Sequence, residues 1–200
     1  MILIQNQVFN LKNFEVPAFA LSKGEMIRFW VEVVPQSETV TDGYWAPSKL
    51  IESLQSTHPG KEIKRVCPAR VKRNFFDFIQ PITLDDYLRT RFNLNTKAIN
   101  EKLSFFSLKP EWKVKNLGYA HQKIFAIICE FPKERIVSFD YYGFAPDSEE
   151  QLTKYVKAEL EKGKSAISFD NLYYKPENPD SERIKNLDIR QRRKTNENNS

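Results

Sequence analysis

Few side chains in this sequence have the type and the setting that catalysis or metal binding requires. Asp140 directly follows Ile136–Phe139, a short strand-like run, so its carboxylate would lie at the end of a strand. A carboxylate there can coordinate Mg²⁺, although an aspartate at a strand end is as often a simple turn former. His58 and His121 have no cysteine or carboxylate at metal-ligand spacing, so the sequence does not indicate a histidine-based metal site.

Phosphate binding through backbone amides requires the pattern G-x-x-x-x-G-K-[ST] between a strand and a helix. The strong strand signal Met26–Val34 is followed by residues 35–49, which lack the glycines of this pattern. Ser48 and Lys49, before a short predicted helix, are the nearest match to its end. We therefore expect an ordinary loop and helix start here.

A second segment, Ala158–Ser165, fits a looser form of the same pattern. Its context is reversed, because a predicted helix precedes it and a predicted strand follows. A phosphate at Gly163 would meet the carbonyl end of a helix, which repels anions. The segment is therefore predicted to be a helix C-cap.

Hydrophobic periodicity predicts an α/β chain with a β-rich beginning. Strands are predicted around Ile2–Phe9 and over Ala18–Leu21, Met26–Val34, Asn74–Ile79, Arg135–Phe139, Lys164–Phe169 and, as a last edge strand, Arg183–Ile189. Helices are predicted over Pro47–Gln55, after the N-cap residues Thr83 and Asn95, and over Leu117–Phe131 and Asp147–Glu161. The alternation of helix and strand in the second half implies parallel pairing in the sheet.

Several short segments then occur in a characteristic order: Leu21–Glu25 (LSKGE), Phe78–Leu84 (FIQPITL), Leu117–Lys123 (LGYAHQK), Ile136–Asp140 (IVSFD), Asp147 and Lys164–Ile167 (KSAI). Their order and spacing resemble the nucleotide-binding domain of an ABC-type ATPase. By this resemblance they correspond, in turn, to the turn before the phosphate-loop strand, the Q-loop, the signature region, the Walker B strand, the D-loop aspartate and the strand before the switch histidine.

The resemblance implies a P-loop NTPase-like α/β fold with a mixed central sheet. It also implies an antiparallel β subdomain at the N-terminus and a helical insert at about residues 83–117. The similarity runs from about Ile2 to Ile189, so we expect one domain over residues 1–189. We expect residues 190–200 to form a basic, disordered tail.

An ATP and Mg²⁺ site is also implied, with Asp140 as the Mg²⁺ ligand. The residues that would contact the nucleotide are Gln80, Asp140, Asp147, Ser48 and Lys49.

The sequence departs from the family pattern at the positions that hydrolysis needs. Tyr141 stands where the family has the catalytic glutamate, and a tyrosine is not a base near neutral pH. Asn171, next to Asp170, stands at the switch histidine and cannot shuttle a proton. In the signature region, Tyr119 would crowd the close backbone approach that glycine allows.

These losses together predict that hydrolysis is lost, because positioning and charge stabilisation supply nearly all catalysis of phosphoryl transfer. The sequence therefore favours a degenerate ABC-type domain, a pseudoenzyme that acts by protein association. Its partner would be a second copy or an ATPase subunit, and a membrane permease is a further candidate. The aromatic segment Tyr141–Phe144 falls where such domains dimerise, although local packing explains it equally well. The first alternative is an ATP-binding ABC-type ATPase with non-standard site residues.

Charge distribution gives the second alternative. The chain has a net charge of +5, and residues 60–73 alone carry six Lys or Arg against Glu62. Binding of nucleic acid or an acidic surface would use Lys61–Arg73 and Arg190–Lys194. Nucleic-acid binders usually spread their charge over a face, so we do not expect a nucleic-acid partner.

The remaining features bear on compartment. The two cysteines, Cys67 and Cys129, are far apart in the chain and suit a reducing environment. Neither a signal-peptide pattern nor an apolar run of about 18 residues occurs, so we expect a cytoplasmic protein without a transmembrane segment.

Overall fold

The computed structural model describes residues 1–32, 46–66, 81–133, 135–179 and 182–192. Its strands are β1 (Ile2–Asn6), β2 (Phe9–Leu11), β3 (Phe14–Val16), β4 (Phe19–Ser22), β5 (Met26–Val31), β6 (Ile63–Arg65), β7 (Ile136–Asp140), β8 (Ser165–Asn171) and β9 (Ile184–Gln191). Its helices are α1 (Ala46–Thr57), α2 (Leu84–Phe92), α3 (Thr96–Ser104), α4 (Tyr119–Glu130) and α5 (Pro146–Glu161).

A seven-stranded mixed sheet forms the centre, in the order β2-β3-β9-β5-β8-β7-β6. Strands β9, β5, β8, β7 and β6 run parallel to one another, whereas β2 and β3 join antiparallel at one end. Strands β1 and β4 form a separate antiparallel pair. The predicted mixed sheet with an antiparallel N-terminal part is therefore confirmed.

The sheet is covered on both faces, which explains why its central strand is apolar almost throughout. All six residues of β5 are buried. One face packs Ile27 and Phe29 against α1 and the N-terminal strands. The other face packs Met26 together with residues of α2, α3, α4 and α5. A strand buried on both faces loses the apolar–polar alternation of a half-exposed strand.

The connections leave the carboxyl edge of the sheet in opposite directions. After β5 the chain passes through α1 to β6 at the far end of the sheet, whereas after β8 it returns past β5 to β9. Strands β5 and β8 are neighbours, so both connections start from the same part of the carboxyl edge, the edge at which ligands bind in open α/β sheets.

The structure confirms the predicted helix caps at Thr83 and Asn95. The Thr83 hydroxyl accepts a hydrogen bond from the Asp86 amide at 3.1 Å, and the Asn95 side chain caps α3 through the Ala98 amide at 2.9 Å. Gly163 follows α5 with a φ of +81°, a left-handed conformation that favours glycine. The reversed motif in Ala158–Ser165 is therefore a helix end.

One strand prediction needs correction. Strand β9 is not at an edge: it lies between β3 and β5, and it continues to Gln191, two residues past the predicted strand end at Ile189. It looked like an edge strand because polar side chains interrupt it, but these have partners. Trp30 donates to Asn186 at 2.9 Å, and Lys175 pairs with Asp188 at 2.5 Å.

The sequence pattern did not predict β6, which Ile63–Arg65 forms in the parallel sheet, inside the basic segment. The predicted strand Asn74–Ile79 and residues 193–200 of the expected tail lie outside the described residues. Within the part that the structure describes, none of the helices combines the length and the apolar character needed to cross a membrane.

Replacing Ile189 by alanine should lower the free energy of unfolding by about 2–5 kcal/mol, because a cavity forms inside the sheet layer. Ile189 is 1% exposed, whereas Val8 is 57% exposed. Val8→Ala is therefore the matched control and should change stability by less than about 0.5 kcal/mol. Urea titration followed by tryptophan fluorescence measures both, and equal stabilities of the two variants would contradict an interior position for β9.

Candidate functional site

Charged side chains gather at the carboxyl edge of the parallel sheet. Arg65 is the last residue of β6, Asp140 the last residue of β7, and Asp170 the second-last residue of β8. Lys123 reaches them from α4, and Arg28 from β5. Two neighbouring ion-pair systems result, one around Asp140 and one around Asp170.

The Asp140 carboxylate is held by two cations of the chain itself. Lys123 Nζ donates to Asp140 Oδ1, and Arg65 Nη2 donates to Oδ2 at 3.1 Å. Lys123 Nζ also donates to the Tyr142 carbonyl at 3.0 Å and lies 4.9 Å from the centre of the Phe144 ring. Both carboxylate oxygens therefore already have a positively charged partner.

Lys123 is the most deeply buried member of this system. Its side chain is 1% exposed, and that of Asp140 is 14% exposed. Burial lowers the pKa of Lys123, and the charge and hydrogen bond of Asp140 offset part of that effect. The Asp140 carboxylate therefore stabilises the ammonium group of Lys123 in its buried position.

Arg28 organises the second system. One of its guanidinium nitrogens, Nη2, donates to Asp170 and, at 2.5 Å, to Glu149 on α5. The guanidinium carbon lies 4.3 Å from the centre of the Trp30 ring and 4.0 Å from that of Tyr141. Ion pairs and cation–π contacts thus join β5, β8 and α5.

Tyr141, at the position of the expected glutamate, is a core residue. It is 3% exposed, and its hydroxyl shares a hydrogen bond of 3.1 Å with the Thr153 hydroxyl. Burial raises the pKa of Tyr141 to about 12. The phenol is therefore neutral at physiological pH.

Asn171, at the position of the expected switch histidine, has a local structural role. Its side-chain oxygen accepts a hydrogen bond from the Tyr173 amide at 3.0 Å and caps the short 3₁₀ helix Leu172–Tyr174. Asp170 Oδ1 accepts a hydrogen bond from the Asn171 amide at 2.7 Å. Both side chains are engaged in shaping the turn after β8.

The other described residues predicted to contact the nucleotide lie on different elements, outside the two ion-pair systems. Ser48 and Lys49 lie in the first turn of α1, where Lys49 is exposed and pairs with Glu52 at 2.6 Å. Asp147 is exposed in the first turn of α5, where a negative charge favours the helix dipole. Gln80 lies outside the described residues. Of the predicted set, Asp140 alone is part of either ion-pair system in the described residues.

The sequence held a signal for Lys123 and Arg28 that was missed. Lys123 precedes Ile127 and Phe131 at four-residue spacing on the buried side of α4, and Arg28 interrupts an otherwise apolar strand. A charged residue in an apolar register must have a buried partner of opposite charge. That rule indicates that a partner exists, but it does not identify Asp140 or Asp170.

Metal ligation finds little support in the geometry. Across the described ranges, no group of three or more His, Cys, Asp or Glu side chains could hold a metal ion. Asp140, the predicted Mg²⁺ ligand, instead faces the ammonium of Lys123 and the guanidinium of Arg65. The donor set in this structure therefore does not fit Mg²⁺, and we derive no step through Mg²⁺-ATP.

Comparison with solved structures shows the same fold in ATP-binding cassettes. A protein from Pyrococcus furiosus assigned as the ATP-binding protein of an ABC transporter superposes with a TM-score of 0.59 at 14% identity, over 93% of this chain and 96% of that one. A nucleotide-free ATP-binding cassette and a cassette in its ADP conformation, both from ABC transporters, each give a TM-score of 0.50 at 13% identity, over 86% of this chain and 82% of theirs.

No protein-family model matches the chain, and no curated protein matches it significantly. At these identities, the structural similarity establishes the fold alone. The chain therefore has the ABC ATPase-like fold, as the sequence resemblance implied.

A double-mutant cycle of Lys123→Met and Asp140→Asn should give a coupling free energy of about 1–3 kcal/mol, because each single change leaves a buried charge with fewer partners. Urea unfolding of the wild type, both single variants and the double variant measures it. The exposed pair Lys154–Glu150, with side chains 63% and 67% exposed, is the matched control. Its cycle should show far weaker coupling, and equal couplings would mean that Lys123 and Asp140 do not depend on each other.

Proposed function

We propose that this chain is a degenerate domain of the ABC ATPase-like fold that acts by associating with a second domain of the same fold and does not hydrolyse ATP. The observation that carries the proposal is the engagement of Asp140 by Lys123 and Arg65. This fold and a strand-end aspartate suit a nucleotide site, but the Mg²⁺ ion of Mg²⁺-ATP would meet two cations already bound to that aspartate.

Electrostatics opposes a metal at Asp140. Two unit charges 4 Å apart in a partly buried site repel by about 4 kcal/mol, and a divalent ion about doubles that figure. Mg²⁺ at Asp140 would be close to the ammonium of Lys123 and the guanidinium of Arg65. Binding would therefore require Lys123 to leave a site in which it is almost fully buried.

The neighbouring groups support loss of hydrolysis as well. Tyr141 is neutral and its hydroxyl is bonded to Thr153, so it offers no base to an attacking water. Asn171 caps a turn. The segment that would hold the triphosphate, residues 35–49, has a single glycine, Gly43, and lacks the glycine pattern that lets backbone amides surround phosphate.

Exposed aromatic rings at the same edge supply a contact surface. Tyr173 and Tyr174 follow β8 and are 85% and 70% exposed, and Tyr119 at the start of α4 is 62% exposed. Tyrosines are enriched in protein interfaces. The earlier candidate segment Tyr141–Phe144 contributes less, since Tyr141 is buried and Phe144 packs partly into the core.

Absence of ATP turnover is the first expected outcome. Purified full-length protein with Mg²⁺-ATP should release phosphate no faster than the Asp140→Asn variant prepared in parallel, because Asp140 has no catalytic role. Coupled-enzyme measurement of phosphate release tests this, with circular dichroism showing that both proteins are folded. Turnover that Asp140→Asn abolishes would overturn the proposal in favour of an ATPase with non-standard site residues.

Association is tested by a photoreactive phenylalanine analogue placed at Tyr173 in the native cell. Irradiation should give a discrete adduct with a second copy of the chain or with another cassette-fold subunit. The same analogue at Phe105, a 39% exposed side chain next to α3, is the control and should give none. An adduct only with a permease would identify the permease, and not a cassette-fold subunit, as the partner. Identical results at Tyr173 and Phe105 would contradict a contact surface at the exposed tyrosines.

A further inference from the structure

A second charged site lies at the opposite edge of the sheet. A cavity of about 280 Å³ opens where β7 and β8 begin, and Ile136 and Ser165, their first residues, line it. Asp140 is four residues further along β7, about 13 Å away at 3.3 Å per residue. The cavity is therefore separate from the carboxyl edge of the sheet.

Basic side chains dominate this cavity. Its lining includes one carboxylate, from Glu62, and the basic residues Lys23, Lys61, Lys133, Arg135 and Lys164. They come from four separate parts of the chain, so sequence inspection could not group them. Only Lys61 belongs to the basic segment that the sequence made conspicuous.

Carboxylates offset only part of this charge. Arg135 pairs with Glu62, and Lys133 pairs with Glu130 at 2.9 Å. Neither Lys23 nor Lys61 makes an ion pair within the residues that the structure describes, which do not include Glu134. Positive charge therefore exceeds negative charge around a concave volume, and an anion entering it would relieve the mutual repulsion of the cations.

Lys23 is held in place by the turn that carries it. The Gly24 amide donates to Ser165 Oγ at 3.1 Å, and the Ser22 amide donates to the Glu25 carboxylate at 2.9 Å. The Lys23 side chain crosses Gly163, where an added Cβ would lie 3.0 Å from Lys23 Cε. Glycine at this position thus leaves room for the lysine chain beside the cavity.

Lys61 is fixed in a similar way on the other side. Its amide donates to the His58 carbonyl at 3.0 Å, in the short turn between α1 and β6. The loop carrying Lys133 closes with a bond of 3.1 Å from the Lys133 amide to the Glu130 carbonyl. The cations are therefore presented by three anchored turns.

We propose that this cavity binds a phosphate-bearing ligand, either a soluble polyphosphate or the phosphomonoester headgroup of a lipid. Several lysines around a small volume suit an anion with many oxygens and more than one negative charge, because each ammonium acts as a compact point charge. A ligand with a single carboxylate would neutralise less of the excess positive charge in the cavity. This inference is independent of the proposed loss of ATP hydrolysis.

Isothermal titration calorimetry of the full chain with inorganic pyrophosphate tests the soluble form of the ligand. The double variant Lys23→Gln/Lys61→Gln should weaken binding by tenfold or more. The control Lys97→Gln/Lys115→Gln removes the same charge from exposed positions in the helical layer and should stay within twofold of wild type. Gly163→Ala, which displaces Lys23 without changing charge, should also weaken binding, and thermal melts check that each variant is folded.

Vesicle sedimentation separates the lipid source from the soluble one. Vesicles of phosphatidylcholine with a phosphoinositide monophosphate are compared with vesicles of equal surface charge made with phosphatidylserine. If the protein sediments only with the phosphoinositide vesicles, and Lys23→Gln/Lys61→Gln abolishes this, the ligand is a lipid headgroup. If the protein binds pyrophosphate but does not sediment with either kind of vesicle, the ligand is soluble. Absence of binding to either probe overturns the proposal, and so does equal weakening by the control variant.

Discussion

The contact between Lys123 and Asp140 determines what the carboxyl edge of the sheet can bind. An ammonium group that is almost fully buried is stable only beside a negative charge, and Asp140 supplies it. Arg65 shares the same carboxylate. Any metal ion that binds Asp140 must therefore first displace a cation that the fold itself holds in place, and the displaced lysine would have to find another counter-charge or reach water.

Arg28 extends the same principle to the next strand. It joins Asp170 on β8 to Glu149 on α5, and its guanidinium group also contacts the rings of Trp30 and Tyr141. Buried ion pairs contribute less net stability than apolar packing of equal volume, because desolvation offsets much of the attraction, but they disfavour alternative registers that would leave a charge unpaired. Since β5 has apolar side chains on its other face, Arg28 is well placed to fix how α5 lies over the sheet.

Much of this fold followed from the sequence, because periodicity reports burial. The residues of α4, α5, β7 and β8 repeat their apolar side chains at the spacing that each element requires, and the order of those elements fixed the fold class. Strand β6 could not be predicted because Ile63–Arg65 has only one fully buried residue and lies inside a basic run. The pattern of β9 indicates an edge strand because a sequence does not distinguish polar side chains that are hydrogen-bonded inside the protein, such as Asn186, from those exposed to solvent.

The site was less predictable for a different reason. Asp140 was identified, but its partners Lys123 and Arg65 are 17 and 75 residues away in the chain. Periodicity indicates that Lys123 lies on the buried side of its helix, whereas only the arrangement of strands brings Arg65 to the same carboxylate. Long-range pairing of this kind depends on tertiary structure, so one sequence does not reveal it.

The two edges of the parallel sheet differ in their charge balance, and this difference links the two proposals. At the carboxyl edge, Asp140 and Asp170 are each matched by cations of the chain, so little charge is left to attract a ligand. At the amino edge, among the residues that the structure describes, cations from separate turns exceed the carboxylates around them, and Lys23 and Lys61 illustrate the excess. The two edges lie about 13 Å apart along β7, so side chains at one edge can change without contacting those at the other. A domain of this fold can therefore lose anion binding where its strands end and still offer an anion site where they begin.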